Sequence, residues 1–526
     1  MGKSSGKKSS KKPIPSHSKP ELSSAFIDIL KRDHPDQADQ ILSALKGETT
    51  ISVRINPAKF QVVGAIKGHF LGEIATNSPI KKRIETQETA NSGDLHVDDI
   101  HNVTSGLQVR VNPVPENNHL DSSTSIQPVP WEPNAFYLRE RPQFTLDPLL
   151  HAGVYYVQEA SSMLIGATVR ELLKRFDKPI KVLDLCGAPG GKSTHLASVL
   201  SENDLLVSNE VIRSRANILV ENLTKWGAPN IAVTNNDPEH FQSLGSWFEI
   251  VVVDAPCSGE GLFRKDPNAM NEWSPDAVEH CALRQNRILD AIWPTLNPGG
   301  FLVYSTCTFN RSENDAQIQR LIDMGEAKSV RLDVSNYLGV IEDPVSESGW
   351  MYRCFPGFVH GEGLTFSVLQ KSPDSDHFYH NDPHVSRNAM ETVPESDLAQ
   401  ALDPGQEWKF LSNKKSTFAI PSTHNRALNE LTNSLNVIHA GIEIGDSQRP
   451  AHGLALNQSY VRGFYPEIEI DLQTALQYLR RESIAIDPER GGIQLITYEG
   501  HPLGFGKAVR GRLNNHYPME WRIRMR

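Results

Sequence analysis

Residues 182–196 read VLDLCGAPGGKSTHL, and the reading of this stretch decides the fold. An apolar run ends in Asp184, small residues follow, and a helix-forming segment begins at once. That is the order of a ligand-binding turn in an open α/β sheet. A triphosphate cradle needs G-x-x-x-x-G-K-[ST]. Counting back from Gly191, Lys192 and Ser193, its first glycine would stand at 186, where the chain has Cys186. Gly187 is one residue too close, and G-x-G-x-x-G is absent because Gly187, Gly190 and Gly191 have the wrong spacing. The loop is built for something other than a triphosphate.

The same alternation runs outward to residue 308. DLLVSNE, NIAVTNND, FEIVVVDAP and FLVYSTCT read as strands. VIRSRANILVENLTKWG reads as a helix with Ile212, Leu219 and Leu223 on one stripe and Gly227 as its stop. Ser274 and Pro275 open a second helix. The pattern predicts a doubly wound, mainly parallel sheet with its site at the carboxyl ends of the strands. Acidic residues stand at successive tips: Glu210, twenty residues past Gly190, then Asp237 and Asp254. Glu210 falls where such folds place a carboxylate on ribose hydroxyls. Carboxylates around a loop without a phosphate cradle suit a cationic nucleoside such as S-adenosylmethionine. For Asp237, capping of a turn is the competing role.

The chain has 526 residues, too many for one core. Its net charge of −10 excludes a generic nucleic-acid coat, so polyanion binding would rest on local patches. No apolar run approaches a membrane span, and the five cysteines lack CxxC spacing, which gives neither a disulfide framework nor a metal site. A cytoplasmic monomer is expected. Residues 1–20 form a basic Lys/Ser tail, 21–145 a small α+β unit with a loose polar insertion near 75–127, and 146–371 the alternating core. Residues 372–405 read as a linker and 406–526 as a β-rich accessory region.

Two cysteines end strands on the edge where the loop sits: Cys257 in DAPCSGEG and Cys307 in STCTFNRSEND. Backbone amides and helix starts there can lower a thiol pKa, whereas Cys281 and Cys354 read as packing residues and Cys186 as a wall of the loop. One chemistry calls for such thiols. C5 of a pyrimidine is a poor nucleophile until a thiolate adds at C6, after which it can attack a methyl sulfonium. An acid then assists at N3 and a base removes the C5 proton. Asp254, three residues from Cys257, is placed to be that acid.

The series DLCGAPGGK, SNE, NND, DAPCSGEG and STCT, with YYVQEASSM (155–163), FPGFVHGEGLTFSVLQK (355–371) and SVRINPAK, resembles the NOL/NOP/Sun-type RNA cytosine-C5 methyltransferases. GFGKAVRGRLNNHYP near the end resembles the PUA-like region of bacterial members that act on small-subunit ribosomal RNA. The resemblance implies a Rossmann-like class I methyltransferase core, an RRM-like N-terminal domain, a C-terminal PUA-like domain and S-adenosylmethionine as cofactor. It implies that Cys307 is the nucleophile and Cys257 assists release. The cofactor would lie on Cys186, Gly187, Ala188, Pro189, Gly190, Gly191 and Lys192, with Glu210, Asp237 and Asp254 touching it or the base. Lys192 is a candidate donor to the pyrimidine, against the plainer role of a helix-start lysine reaching solvent. The insertion near 75–127 has no assigned counterpart.

Methylating a base edge requires the cytosine to leave its stack, which favours single-stranded or distorted RNA. Residues 480–526 carry nine Lys/Arg against five Asp/Glu, with His516, Tyr517 and Trp521 among them, which suits phosphate contact and stacking. Transfer RNA as substrate, or a ribosome-assembly factor without turnover, are the alternatives. DNA cytosine methyltransferases place the nucleophile in a Pro-Cys motif, so the Thr-Cys motif at Cys307 favours RNA.

Overall fold

The computed structural model describes residues 21–59, 110–111, 126–347, 349–379, 390–413 and 415–525. The tail 1–20 and most of the insertion 75–127 lie outside the described residues. Five apolar runs form a parallel sheet: β1 (Lys181–Asp184), β2 (Leu205–Asn209), β3 (Ile231–Thr234), β4 (Phe248–Asp254) and β5 (Leu296–Thr306). Helices α1 (Gly191–Val199), α2 (Arg213–Trp226) and α3 (Pro275–Ile292) lie along its connections. The order is β3-β2-β1-β4-β5. The chain therefore works outward from β1 in one direction and returns on its other side at β4. That reversal opens a crevice above the carboxyl ends of β1 and β4, where open α/β sheets bind ligands.

Successive strand residues enter opposite cores. Val182, Ile250 and Val252 join one, and Leu183, Val251 and Val253 the other, all fully buried. Parallel strands covered on both faces need such unbroken apolar runs. The helix signals act as read for α3, where Ser274 Oγ accepts from Ala277 N at 3.1 Å and Pro275 takes the first turn. α2 ends at Gly227 with φ +84°, a left-handed cap that glycine adopts without steric cost. Leu219 and Leu223 are buried, but Ile212 precedes the helix and is exposed, so it leaves the expected stripe.

Beyond β5 the sheet turns antiparallel through β6 (Leu364–Lys371), Gly349–Cys354, Ile341–Ser346 and the short strand Arg110–Val111. Part of the stretch read as a loose insertion thus closes an edge of the core sheet. At the opposite edge Val437–Ala440 pairs with β3.

Three expected units pack differently. The helical pattern after residue 21 resolves into Ser24–Asp33 and Ala38–Ala44, with Pro35 at the break. Their apolar face, Phe26, Leu30 and Ile41, packs on Phe263, Trp273, Phe309 and Phe355 of the core. The sheet of Ile126–Val129, Glu132–Leu138, Ser52–Ile55 and Tyr155–Val157 runs past the boundary at 145 and shares its core with residues 475–523. Among the described residues, the helices and the sheet of the 21–145 unit therefore bury their faces in different cores. The two short helices bury their stripes against the larger apolar surface. The stretch 406–526 divides in two: Leu411, Phe418, Leu431 and Val437 pack into the core on one face of the parallel sheet, while residues 467–515 build a separate five-stranded sheet. The described ends of the 372–405 linker are anchored as well, with Met390, Leu398 and Leu402 buried. Tyr517 is fully buried between Tyr478 and His452, with ring centroids 5.6 and 5.0 Å away, so it offers no stacking face. No helix among the described residues is long and apolar enough to cross a membrane.

Two buried histidines make this packing acid-sensitive. His34 Nε2 donates to the Phe309 carbonyl at 2.8 Å and His151 Nε2 to that of Thr145 at 2.9 Å. Burial lowers both pKa values to about 4. As pH falls below the ordinary 6.5, the unfolded chain takes up these protons first. Their stabilising contribution is therefore full above 6.5 and is lost between 6.5 and 4, at ~1.4 kcal/mol per unit for each histidine. Urea unfolding at pH 5.5 is expected to show ~3 kcal/mol less stability from this pair than at pH 7.5, and His34→Gln should flatten the dependence.

Candidate active site

The turn after β1 brings four parts of the chain together. Asp184, the last residue of β1, is fully buried, and its Oδ2 accepts from Ser193 Oγ at 2.6 Å. Burial pushes its carboxyl up to about 6. Its other oxygen is buried without a partner. A Cβ on Gly187 would come within 2.7 Å of Ser193 Oγ, so glycine is needed for this close approach. Arg215 reaches back to the Ala188 carbonyl at 2.8 Å and lies 3.3 Å from Glu210, whose other oxygen accepts from Ile212 N. A buried orphan acceptor, a second buried carboxylate in Glu210 and a close-packed glycine turn fit a cationic nucleoside, and they fit S-adenosylmethionine.

The predicted loop residues 186–192 all lie on this turn and the start of α1. Cys186 is a wall, its thiol pushed up by burial and then by Asp184. Asp237 has partners of its own. It caps the turn at Pro238–Leu244 by accepting from Glu239 N, and Arg287 lies 3.0 Å away. Burial alone would raise its carboxyl, but Arg287 outweighs that and lowers it.

The two strand-tip cysteines do meet. Cys257 Sγ and Cys307 Sγ stand 3.2 Å apart, both partly buried. Parallel pairing sets this up, because β4 and β5 align Asp254 with Ser305 and each thiol follows within three residues. The expected lowering of the thiol pKa is not seen at Cys257. Its thiol is pushed up, first by the hydrogen bond to Cys307, then by burial and the nearby charges of Cys307, Glu313 and Asp254. Two thiols in contact cannot both carry charge cheaply.

Beside them Lys192 Nζ lies 2.8 Å from Asp254 Oδ2, and Ser305 Oγ donates to Asp254 Oδ1 at 2.9 Å. Asp254 thus accepts on both oxygens, one from Lys192 and one from Ser305. Burial pulls the Lys192 ammonium down, but Asp254 outweighs that and raises it.

Sequence reasoning missed the supports. Arg54, inside the quoted SVRINPAK, is fully buried and donates to Gln158 at 2.8 Å and to Thr194 Oγ1 at 2.7 Å, which ties the N-terminal sheet to the first turns of α1. Glu260 and Glu313 were quoted within the two cysteine motifs, but nothing local marks them as buried.

Comparisons with known proteins agree with this architecture. The 16S rRNA methyltransferase RsmB/F family matches residues 172–370, the N-terminal domain of 16S rRNA methyltransferase RsmF matches 99–160, and the methyltransferase RsmF PUA domain matches 465–523. The N-terminal match reaches into the stretch read as an unassigned insertion. Similar relatives include the ribosomal RNA small subunit methyltransferase F of Serratia proteamaculans, 28% identical over 425 residues, covering 76% of this chain and 85% of that protein. That of Salmonella typhi is 29% identical over 420 residues, covering 75% and 85%. The crystal structure of PH0851 shares the fold with a TM-score of 0.50 at 20% identity, over 69% of this chain and 70% of that one. Three models thus match in chain order, and residues 172–370, which hold the crevice above β1 and β4, match the 16S rRNA methyltransferase RsmB/F family.

Proposed function

We propose that the protein methylates C5 of a cytosine in small-subunit ribosomal RNA, in the cytoplasm, through a transient bond between Cys307 Sγ and C6 of the base. The observation that carries this reading is the pair of free thiols in contact at the tips of β4 and β5, beside the Lys192–Asp254 pair. S-adenosylmethionine, held on the loop 186–192 with Asp184 and Glu210, supplies an electrophilic methyl group when bound.

The chain's own residues do the rest. Cys307, as thiolate, adds to C6 and pushes the ring electrons toward C5. The Lys192 ammonium, fixed by Asp254, donates to N3 as negative charge develops there. After methylation Cys257, having given up its own proton to solvent, accepts the C5 proton as the C6–S bond breaks and that bond's electron pair returns to Cys307, so one proton is released per methyl transferred. In the C-terminal region Arg490, Arg510, Arg512, Arg522 and Arg524 are exposed and available to a phosphate backbone.

Tritiated methyl transfer to unmodified small-subunit RNA, free or within subunits, tests the reading. Nuclease digestion should yield 5-methylcytidine as the labelled nucleoside. Label in transfer RNA alone would move the substrate, and a labelled nucleoside other than 5-methylcytidine would overturn the reaction.

A further inference from the structure

The loops that carry Cys257 and Cys307 exchange buried carboxylates. Glu260, on the first loop, accepts from the backbone N–H groups of Phe309 and Asn310 on the second, at 2.5 and 3.2 Å. Glu313, beyond the second cysteine, accepts from the backbone N–H of Ser258 on the first, at 3.0 Å. Asn310 Nδ2 donates to both carboxylates, at 3.0 and 2.8 Å. Trp273 Nε1 completes Glu260 at 3.0 Å and Gln285 Nε2 completes Glu313 at 2.9 Å. Two further rungs join the same loops: Gly261 N to the Cys307 carbonyl at 2.7 Å, and Ser258 Oγ to Thr308 Oγ1 at 3.0 Å.

Both glutamates are at most 1% exposed, and among the described residues neither has a lysine or arginine at ion-pair distance. Burying a carboxylate against neutral donors costs desolvation that a cation does not repay here. Such an arrangement adds little as a stability device. What it does add is geometry, because each carboxylate can satisfy its donors only while the two loops keep one relative position.

We propose that Glu260 and Glu313 are positioning residues which, by clasping each other's loops, hold the two thiols in contact so that a proton can pass between the departing base and Cys257. The role in turnover rests on the methylation reading above, but the clasp itself is testable without RNA or cofactor. A trivalent arsenical reports on it. Phenylarsine oxide bridges two thiols only when they can be brought together. Two As–S bonds form, the As–O bond breaks, and the oxygen leaves as water with the two thiol protons, without redox change.

The native enzyme should be captured at Cys257 and Cys307, seen by intact mass and peptide mapping, and Cys257→Ser should abolish the bridge. Glu260→Ala and Glu313→Ala should slow capture about tenfold or more, because the effective concentration of the second thiol falls. Their circular dichroism and S-adenosylmethionine binding should stay unchanged. If an alanine variant fails to fold, Glu260→Gln and Glu313→Gln decide. Each keeps one acceptor oxygen and turns an N–H₂ group toward a donor, so capture should slow about threefold. Capture within error of the native rate in folded variants overturns the clasp. If the native protein methylates no RNA, the reaction falls while the capture result still stands. In an active enzyme the variants should lose kcat with KM for S-adenosylmethionine unchanged, since neither glutamate lies on its loop.

Discussion

Cys307→Ala is expected to lose methyl transfer by about 10⁴-fold or more and to form no covalent RNA species. Without sulfur addition at C6 the C5 carbon has no enamine electrons to offer. A 10⁴-fold loss corresponds to ~5.5 kcal/mol of transition-state stabilisation, in the range for removal of a nucleophile whose partners cannot act alone. Cys307 follows β5 by one residue and is not on the loop 186–192, so binding of S-adenosylmethionine should be retained. Single-turnover methyl incorporation and a denaturing gel make the measurement. A gel-stable adduct in this variant would transfer the nucleophile's role to Cys257.

The second large effect has the opposite sign on the gel. Cys257→Ala should accumulate the covalent RNA adduct, because addition survives and release fails. The structure gives a reason for this division of labour. The largest influence raising the Cys257 thiol is its hydrogen bond to Cys307, 3.2 Å away. Once Cys307 is bonded to C6 it no longer shares that hydrogen bond as a free thiol, and Cys257 is the cysteine left beside the adduct to exchange a proton with C5. The alanine variant should therefore incorporate about one methyl per enzyme while multiple turnover falls about 10²-fold or more, in line with the loss of a general base. Multiple turnover at the native rate without an adduct would remove Cys257 from the release step.

Residues 182–196 show how far local information reaches. The missing glycine at 186, the run ending in Asp184 and the helix at Gly191 lie within a dozen residues, and the turn forms as their chemistry demands. Where the reading failed, the partner lay far away. Tyr517 sits in a basic, aromatic-rich stretch that suits RNA, yet residues near 452 and 478 enclose it. Val437–Ala440 belongs by sequence to the C-terminal region, but the open edge of β3 recruits it.

The sequence by itself determined the strands, the glycine turn and the placing of two cysteines just past strand ends, because strand periodicity and turn chemistry are properties of short segments. Only the tertiary structure decided that those sulfurs touch, that Lys192 pairs with Asp254, and that two glutamates bind the opposite loops. Each of these depends on which strands become neighbours and in what register, a choice made by burial across the whole sheet.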